Sequence, residues 1–145
     1  MQRCEDLNVG AVICELYVSD IESTVQMLAE VMPIEALRGE ANFCLLRAGD
    51  SRLLLNSMTP EHFSESNPIR SLSPGAKRGA GIEIVLEVSN VEESFERASL
   101  DDSGWLIVEG LRKQSWGLID FRMTHPDGFY FRISQPDLDF RKGLP

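Results

Sequence analysis

The chain has 145 residues, 43% hydrophobic and 26% charged, which fits one ordinary globular domain or two small modules sharing a core and argues against disorder. Asp and Glu total 23 against 14 Lys and Arg, and the formal charge of −9 disfavours nucleic acid and anionic membrane as partners while remaining compatible with a cationic ligand. No apolar run is long enough to span a bilayer, and the opening MQRCEDLNVG has mixed charge and no apolar stretch, so neither a membrane anchor nor a secretory signal is expected.

Taken in chain order, Val12, Cys14, Leu16 and Val18 alternate with Ile13, Glu15 and Tyr17, and period two with β-branched residues predicts a half-buried strand. Asp20 is placed to cap a helix over 21–32, in which Ile21, Val25, Leu28 and Val31 recur at helical spacing. Met32-Pro33 ends it, because a residue before proline avoids the α region. Strands near 34–38, 42–47 and 51–57 follow, with turns at Gly39-Glu40 and Gly49-Asp50. Residues 58–80 are rich in Ser, Pro, Gly and charge, lack a period and read as a linker, long enough to order over a binding site or a partner. A strand near 81–88, a helix near 91–99 and strands near 105–109, 117–124 and 128–134 complete the pattern, with His125-Pro126-Asp127-Gly128 as the turn between the last two. The tail, 136–145, is expected to be peripheral.

The two halves repeat. AVICELYVSDIESTVQML at 11–28 aligns with GIEIVLEVSNVEESFERA at 81–98 at a constant offset of 70, pairing Asp20 with Asn90 and Ile21 with Val91. The prediction is an α+β chain of two strand–helix–strand–strand–strand modules, 11–57 and 81–135, forming a curved mixed sheet around a shared cleft. One face of each sheet is covered by its helix. The other carries Ile13, Glu15 and Tyr17, and Glu83, Val85, Glu87, Tyr130, Arg132 and Ser134. That mixture is too polar for a core face and too apolar for a solvent face, and suits a ligand cleft.

The three cysteines, Cys4, Cys14 and Cys44, are odd in number and lack metal-type spacing. They are read as reduced thiols of a cytoplasmic protein, with Cys14 buried on the apolar strand face. Trp105, Phe43, Phe121, Phe129 and Phe131 are read as core. No histidine lies on a strand beside a serine, no Gly-x-Ser-x-Gly elbow occurs, and Gly79, Gly81 and Gly110 make no phosphate loop.

ELYVSDIEST at 15–24, VLEVSNVEESFERA at 85–98 and WGLIDFRMTHPDGFYFRI at 116–133 resemble the vicinal oxygen chelate superfamily, which includes glyoxalase I, extradiol dioxygenases, fosfomycin-resistance enzymes and bleomycin-resistance binding proteins. Two departures stand out: Met27-Leu28 replaces an aromatic pair, and His125 replaces the aspartate that usually opens the turn. The resemblance implies a homodimer, often with modules shared across chains. It also implies that metal-using members draw one ligand from the first and last strand of each module. Those positions here hold Ile13, a residue near Leu54, Glu83 and Arg132. An isoleucine offers no lone pair and a guanidinium repels a cation, so no metal and no other cofactor is expected.

The resulting expectation is a metal-independent small-molecule-binding protein of the glyoxalase/bleomycin-resistance type, taking a partly apolar, cationic or aromatic ligand. The candidate ligand-binding residues are Glu15, Tyr17, Asn56, Glu83, Trp116, Arg122, Tyr130 and Arg132. Glu15 is expected beside Arg52, and Glu83 beside Arg132. Two alternatives stay open: a lyase, isomerase or dioxygenase-like enzyme of the same superfamily with an atypical site, and an interaction protein in which Glu83 and Arg132 merely fill a vestigial metal site. No catalytic residue is assigned.

Overall fold

A computed structural model describes residues 10–72 and 75–141. Module one comprises β1 (Cys14–Tyr17), α1 (Ile21–Val31), β2 (Glu35–Glu40), β3 (Phe43–Ala48) and β4 (Ser51–Asn56). Module two comprises β5 (Glu83–Glu87), α2 (Val91–Leu100), β6 (Leu106–Lys113), β7 (Ile119–Thr124) and β8 (Tyr130–Ser134), and a one-turn helix α3 (Leu138–Arg141) follows.

Local chemistry sets the helix starts. The Asp20 carboxylate accepts from the Ser23 N–H at 3.0 Å, and the Asn90 side chain accepts from the Glu93 N–H at 3.1 Å, each meeting one of the orphan donors of a first turn. Met32 is extended, as its position before Pro33 requires.

The four strands of each module form one sheet, in the orders β1-β4-β3-β2 and β5-β8-β7-β6. β1 is parallel to β4, and β5 to β8, while the other pairs are antiparallel. The helices lie against each other, and the Ser94 hydroxyl donates to the Val31 carbonyl at 2.5 Å. Leu28, Leu46 and Leu55 of module one and Phe121, Phe131 and Ile133 of module two are buried in one continuous core.

Residues 58–80 are ordered around the module junction wherever they are described. Two 3-10 turns, Pro60–His62 and Pro68–Ser71, punctuate them. The Phe63 ring meets Tyr17 edge-on at 5.5 Å, and Arg78 Nη1 donates to the Tyr17 carbonyl at 2.7 Å. Gly128 permits the close approach of this segment to the β7–β8 turn. Its φ is +101°, and a Cβ there would sit 3.1 Å from the Lys77 and Arg78 backbone.

Two burial expectations are corrected. Cys14 is exposed, and Val12 is 96% exposed. β1 is an edge strand, and its start faces an open apolar cavity of about 340 Å³ that Leu28, Leu53 and Ile84 also line, so among the described residues nothing covers that end of the strand. Phe43 is only half buried, because it alternates with buried Cys44 and therefore faces away from the helix, with the Arg38 guanidinium 5.7 Å from its ring centroid. Trp105, Phe121, Phe129 and Phe131 are in the core as expected. Cys4 lies outside the described residues. Among the described residues no helix is long and apolar enough to cross a membrane.

Candidate functional site

The strand register turns the repeat into a residue-by-residue correspondence. Glu15 pairs with Leu54 across β1–β4, and Val85 with Arg132 across β5–β8. Glu15 and Val85 are equivalent in the repeat, so Leu54 and Arg132 are equivalent too. Leu45 faces Leu54 as Arg122 faces Arg132. Glu83, Arg122 and Arg132 of module two thus stand where module one has Ile13, Leu45 and Leu54. The same fold is built once with three apolar residues there and once with three charged ones.

In module two these side chains meet on the face away from α2. Arg132 Nε lies 3.1 Å from Glu83 Oε1, and Arg122 Nε lies 3.5 Å from the same oxygen. Neither Nε has hydrogen-bond alignment, so these are ion pairs without that directional gain. Arg122 Nη1 donates to Glu109 Oε2 at 2.5 Å. Burial opposes the charge on Arg122, but the Glu109 hydrogen bond, with further pull from Tyr130, Glu109 and Asp120, holds its pKa above the ordinary value. Tyr130, half buried and paired across the strands with Glu83, has its phenol pKa raised, mainly by burial; Arg122 opposes that, and Glu83, Glu109 and Asp120 add to it. Trp116, on the β6–β7 turn, is 51% exposed, and the Arg132 guanidinium carbon lies 5.7 Å from its ring centroid. Glu87, Trp116, Leu118, Arg132, Ser134 and Asp137 are among the residues that line a cavity of about 340 Å³. Asp137 is held there by its N–H, which donates to Glu87 Oε2 at 2.7 Å, so the tail contributes to this face.

The remaining candidates form a separate group on the other sheet. Asn56 Nδ2 donates to Glu15 Oε1 at 3.1 Å, and Asn56 Oδ1 accepts from the Met58 N–H at 2.8 Å. Glu15 therefore pairs with Asn56 and not with Arg52, which stands beside Arg47 in the β3–β4 register. The Tyr17 hydroxyl has its pKa raised, first by burial and then by Glu15. Asn56 lines a different cavity from the one holding Trp116 and Arg132.

A larger cavity, about 890 Å³, lies between residues 75–78 and the β7–β8 turn. Its main polar groups already satisfy one another: Ser19 Oγ donates to Asp127 Oδ1 at 2.6 Å, Arg78 binds the Tyr17 carbonyl, and His125 contacts Thr24. Volume alone does not make it a site; the charged lining residues outside this network are Glu61 and Lys77. Sequence reasoning read His125 only as a turn residue and did not find this network; the one signal was its unusual place at the head of the Pro-Asp-Gly turn.

Neither a protein-family model nor a curated protein matches the chain. Solved structures do. A protein of unknown function from Agrobacterium tumefaciens superposes with a TM-score of 0.69 at 18% identity, covering 90% of this chain and 96% of that one. A glyoxalase/bleomycin resistance protein/dioxygenase family enzyme from Burkholderia phytofirmans gives 0.66 at 16% identity, over 85% and 95% of the two chains. A bleomycin-binding protein complexed with bleomycin gives 0.55 at 17% identity, over 89% and 100%.

The fold is that of the vicinal oxygen chelate superfamily. The positions that the resemblance implies for the ligands of metal-using members hold Ile13, a residue near Leu54, Glu83 and Arg132, and a set of these side-chain types does not fit a metal. It supplies one carboxylate, and a guanidinium lies 3.1 Å from that carboxylate where a divalent cation would have to bind. Among the described residues no three His, Cys, Asp or Glu side chains converge on a point that could hold an ion. What the vicinal oxygen chelate fold offers here is a half-open sheet face carrying a charged row, a flat indole and a small cavity.

Proposed function

We propose that this protein is a metal-independent small-molecule-binding protein of the glyoxalase/bleomycin-resistance type, holding a partly apolar, aromatic ligand on the open face of module two. The Glu83–Arg132 ion pair carries this reading: it puts a cation of the protein's own where metal-using kin place theirs, beside a cavity walled by Trp116 and Leu118. The likeness to a bleomycin-binding protein supports ligand sequestration as the activity. The second group, Glu15, Tyr17 and Asn56, is proposed as the facing wall, supplied by module one of a second copy in a homodimer. The exposed Val12 and Ile82, at equivalent positions of the two copies, support such burial between chains. The free thiols of Cys14 and Cys44 support reduced cysteines and a cytoplasmic setting.

A thermal-shift screen with Mn, Fe, Co, Ni and Zn tests the metal-free reading. No metal is expected to raise the melting temperature. Stabilisation by any of them that disappears in Glu83→Ala would overturn it and favour an enzyme of the same superfamily with an atypical site.

A further inference from the structure

The charge of the whole chain points to a cationic ligand, but the local chemistry of this face points the other way. We infer that the site recognises an aromatic acid, with the Nη groups of Arg132 meeting its carboxylate or phosphate and Trp116 stacking on its ring; this deepens the proposed function and rests on it.

Three observations carry it. First, the charged row is not a requirement of the fold, because the equivalent positions in module one are Leu45 and Leu54 in the same strand register and Ile13 by the 70-residue offset. The chain thus holds its own control for what the backbone needs, and the charges answer to something else. Second, the row has more donors than acceptors. Glu83 Oε1 is shared between two guanidiniums, and Glu109 Oε2 is taken by Arg122. The carboxylates of the row are therefore already engaged, and of the two others that line the cavity, Glu87 and Asp137, Glu87 accepts from the Asp137 N–H at 2.7 Å. Arg132 approaches Glu83 most closely through Nε, without hydrogen-bond alignment, and no side-chain hydrogen bond from its Nη groups occurs among the described residues. A guanidinium with an unused fork suits a planar anion bidentately. Third, Arg132 lines a cavity of about 340 Å³ with Trp116, whose indole is half exposed and has that guanidinium 5.7 Å from its ring centroid. An anion bonded to Arg132 brings any ring attached to it alongside the indole, where stacking adds to the ion pair.

The probes are 1-naphthoate, 1-naphthamide and 1-naphthylmethylammonium, which share a ring system and differ in charge. Their affinities are measured by calorimetry on the full chain, with the Trp116 indole N–H followed by NMR to place the binding. Naphthoate is expected to bind at least about tenfold more tightly than the amide or the ammonium and to shift the Trp116 signal. Arg132→Lys, which keeps the charge and loses the fork, is expected to weaken naphthoate about tenfold. The double variant Glu83→Ile with Arg132→Leu, which copies module one, is expected to abolish binding while its melting curve stays cooperative. Equal or tighter binding of the amide or ammonium at Trp116 would overturn the anion inference and leave the proposed function standing. Undiminished naphthoate binding by the double variant would also overturn the inference. Failure of all three compounds to bind would overturn both.

Discussion

The Thr24 hydroxyl lies 2.7 Å from Nε2 of His125, and these residues, 101 positions apart, belong to different modules. Thr24 Oγ1 donates its own proton to the Asp20 carbonyl at 2.7 Å, so toward the imidazole it accepts, and Nε2 carries the hydrogen. Nδ1 in turn accepts from the Asp127 N–H at 2.9 Å. One neutral tautomer satisfies every group, and both residues are buried. Thr24→Val keeps the shape and removes the acceptor, leaving a buried N–H without a partner. It is expected to lower stability by about 1–3 kcal/mol, measured by urea unfolding; a change indistinguishable from zero would show that this bond does not join the modules.

The same pair makes stability depend on pH. Burial pushes the His125 pKa below its ordinary 6.5; Asp127 pulls it up, Arg78 adds to the depression, and the net direction is down. The folded state therefore favours the neutral ring. Its contribution is fully present above about pH 6.5 and is lost as the pH falls from there through the folded pKa, since the unfolded chain binds the proton first. A proton on Nδ1 would also face the Asp127 N–H. The melting temperature is expected to drop as the pH falls below 6.5, and His125→Asn is expected to flatten that part of the profile. An unchanged slope in His125→Asn would assign the drop to other groups.

Glu83, Arg122 and Arg132 depend on one another. Glu83→Ile leaves two guanidiniums facing each other, and Arg132→Leu leaves Glu83 with its weaker partner only. The double variant, which reproduces module one at those two positions, is expected to be more stable than the sum of the single effects implies. Because both side chains are partly exposed, the coupling is expected to be modest, roughly 0.5–1 kcal/mol, in a double-mutant cycle. Strict additivity would mean that the ion pair contributes nothing to the folded state.

The duplicated plan was legible because its signals are local: alternation over 12–18, capping residues at Asp20 and Asn90, and a Pro-Asp-Gly turn between two apolar strands. Glu83 and Arg132 were expected side by side and their side chains do meet, although the register pairs Glu83 with Tyr130 and Arg132 with Val85. Two kinds of relationship escaped. The Thr24–His125 and Ser19–Asp127 contacts join segments more than a hundred residues apart, and no periodicity encodes them. Cys14 was read as buried because alternation reports which face a side chain takes, not whether anything covers that face at a sheet edge.

Thiol labelling separates those two meanings of a strand face. In a Cys4→Ser background Cys14 is expected to react with a disulfide reagent within minutes, and Cys44 only on unfolding, since burial both shields its thiol and raises its pKa. Protection of Cys14 that is lost on dilution would indicate that a second chain covers β1; equal reactivity of Cys14 and Cys44 in the folded protein would contradict the described core.

The central claim, that the open face of module two is where a small molecule binds, is tested most directly by mapping backbone and indole NMR shifts while 1-naphthoate and metal-free bleomycin are titrated separately. Saturable shifts at Trp116, Arg132 and the strands Glu83–Glu87 and Tyr130–Ser134 are the predicted result. Shifts confined to the larger cavity around Lys77, His125 and Asp127, or none with either compound, would contradict it.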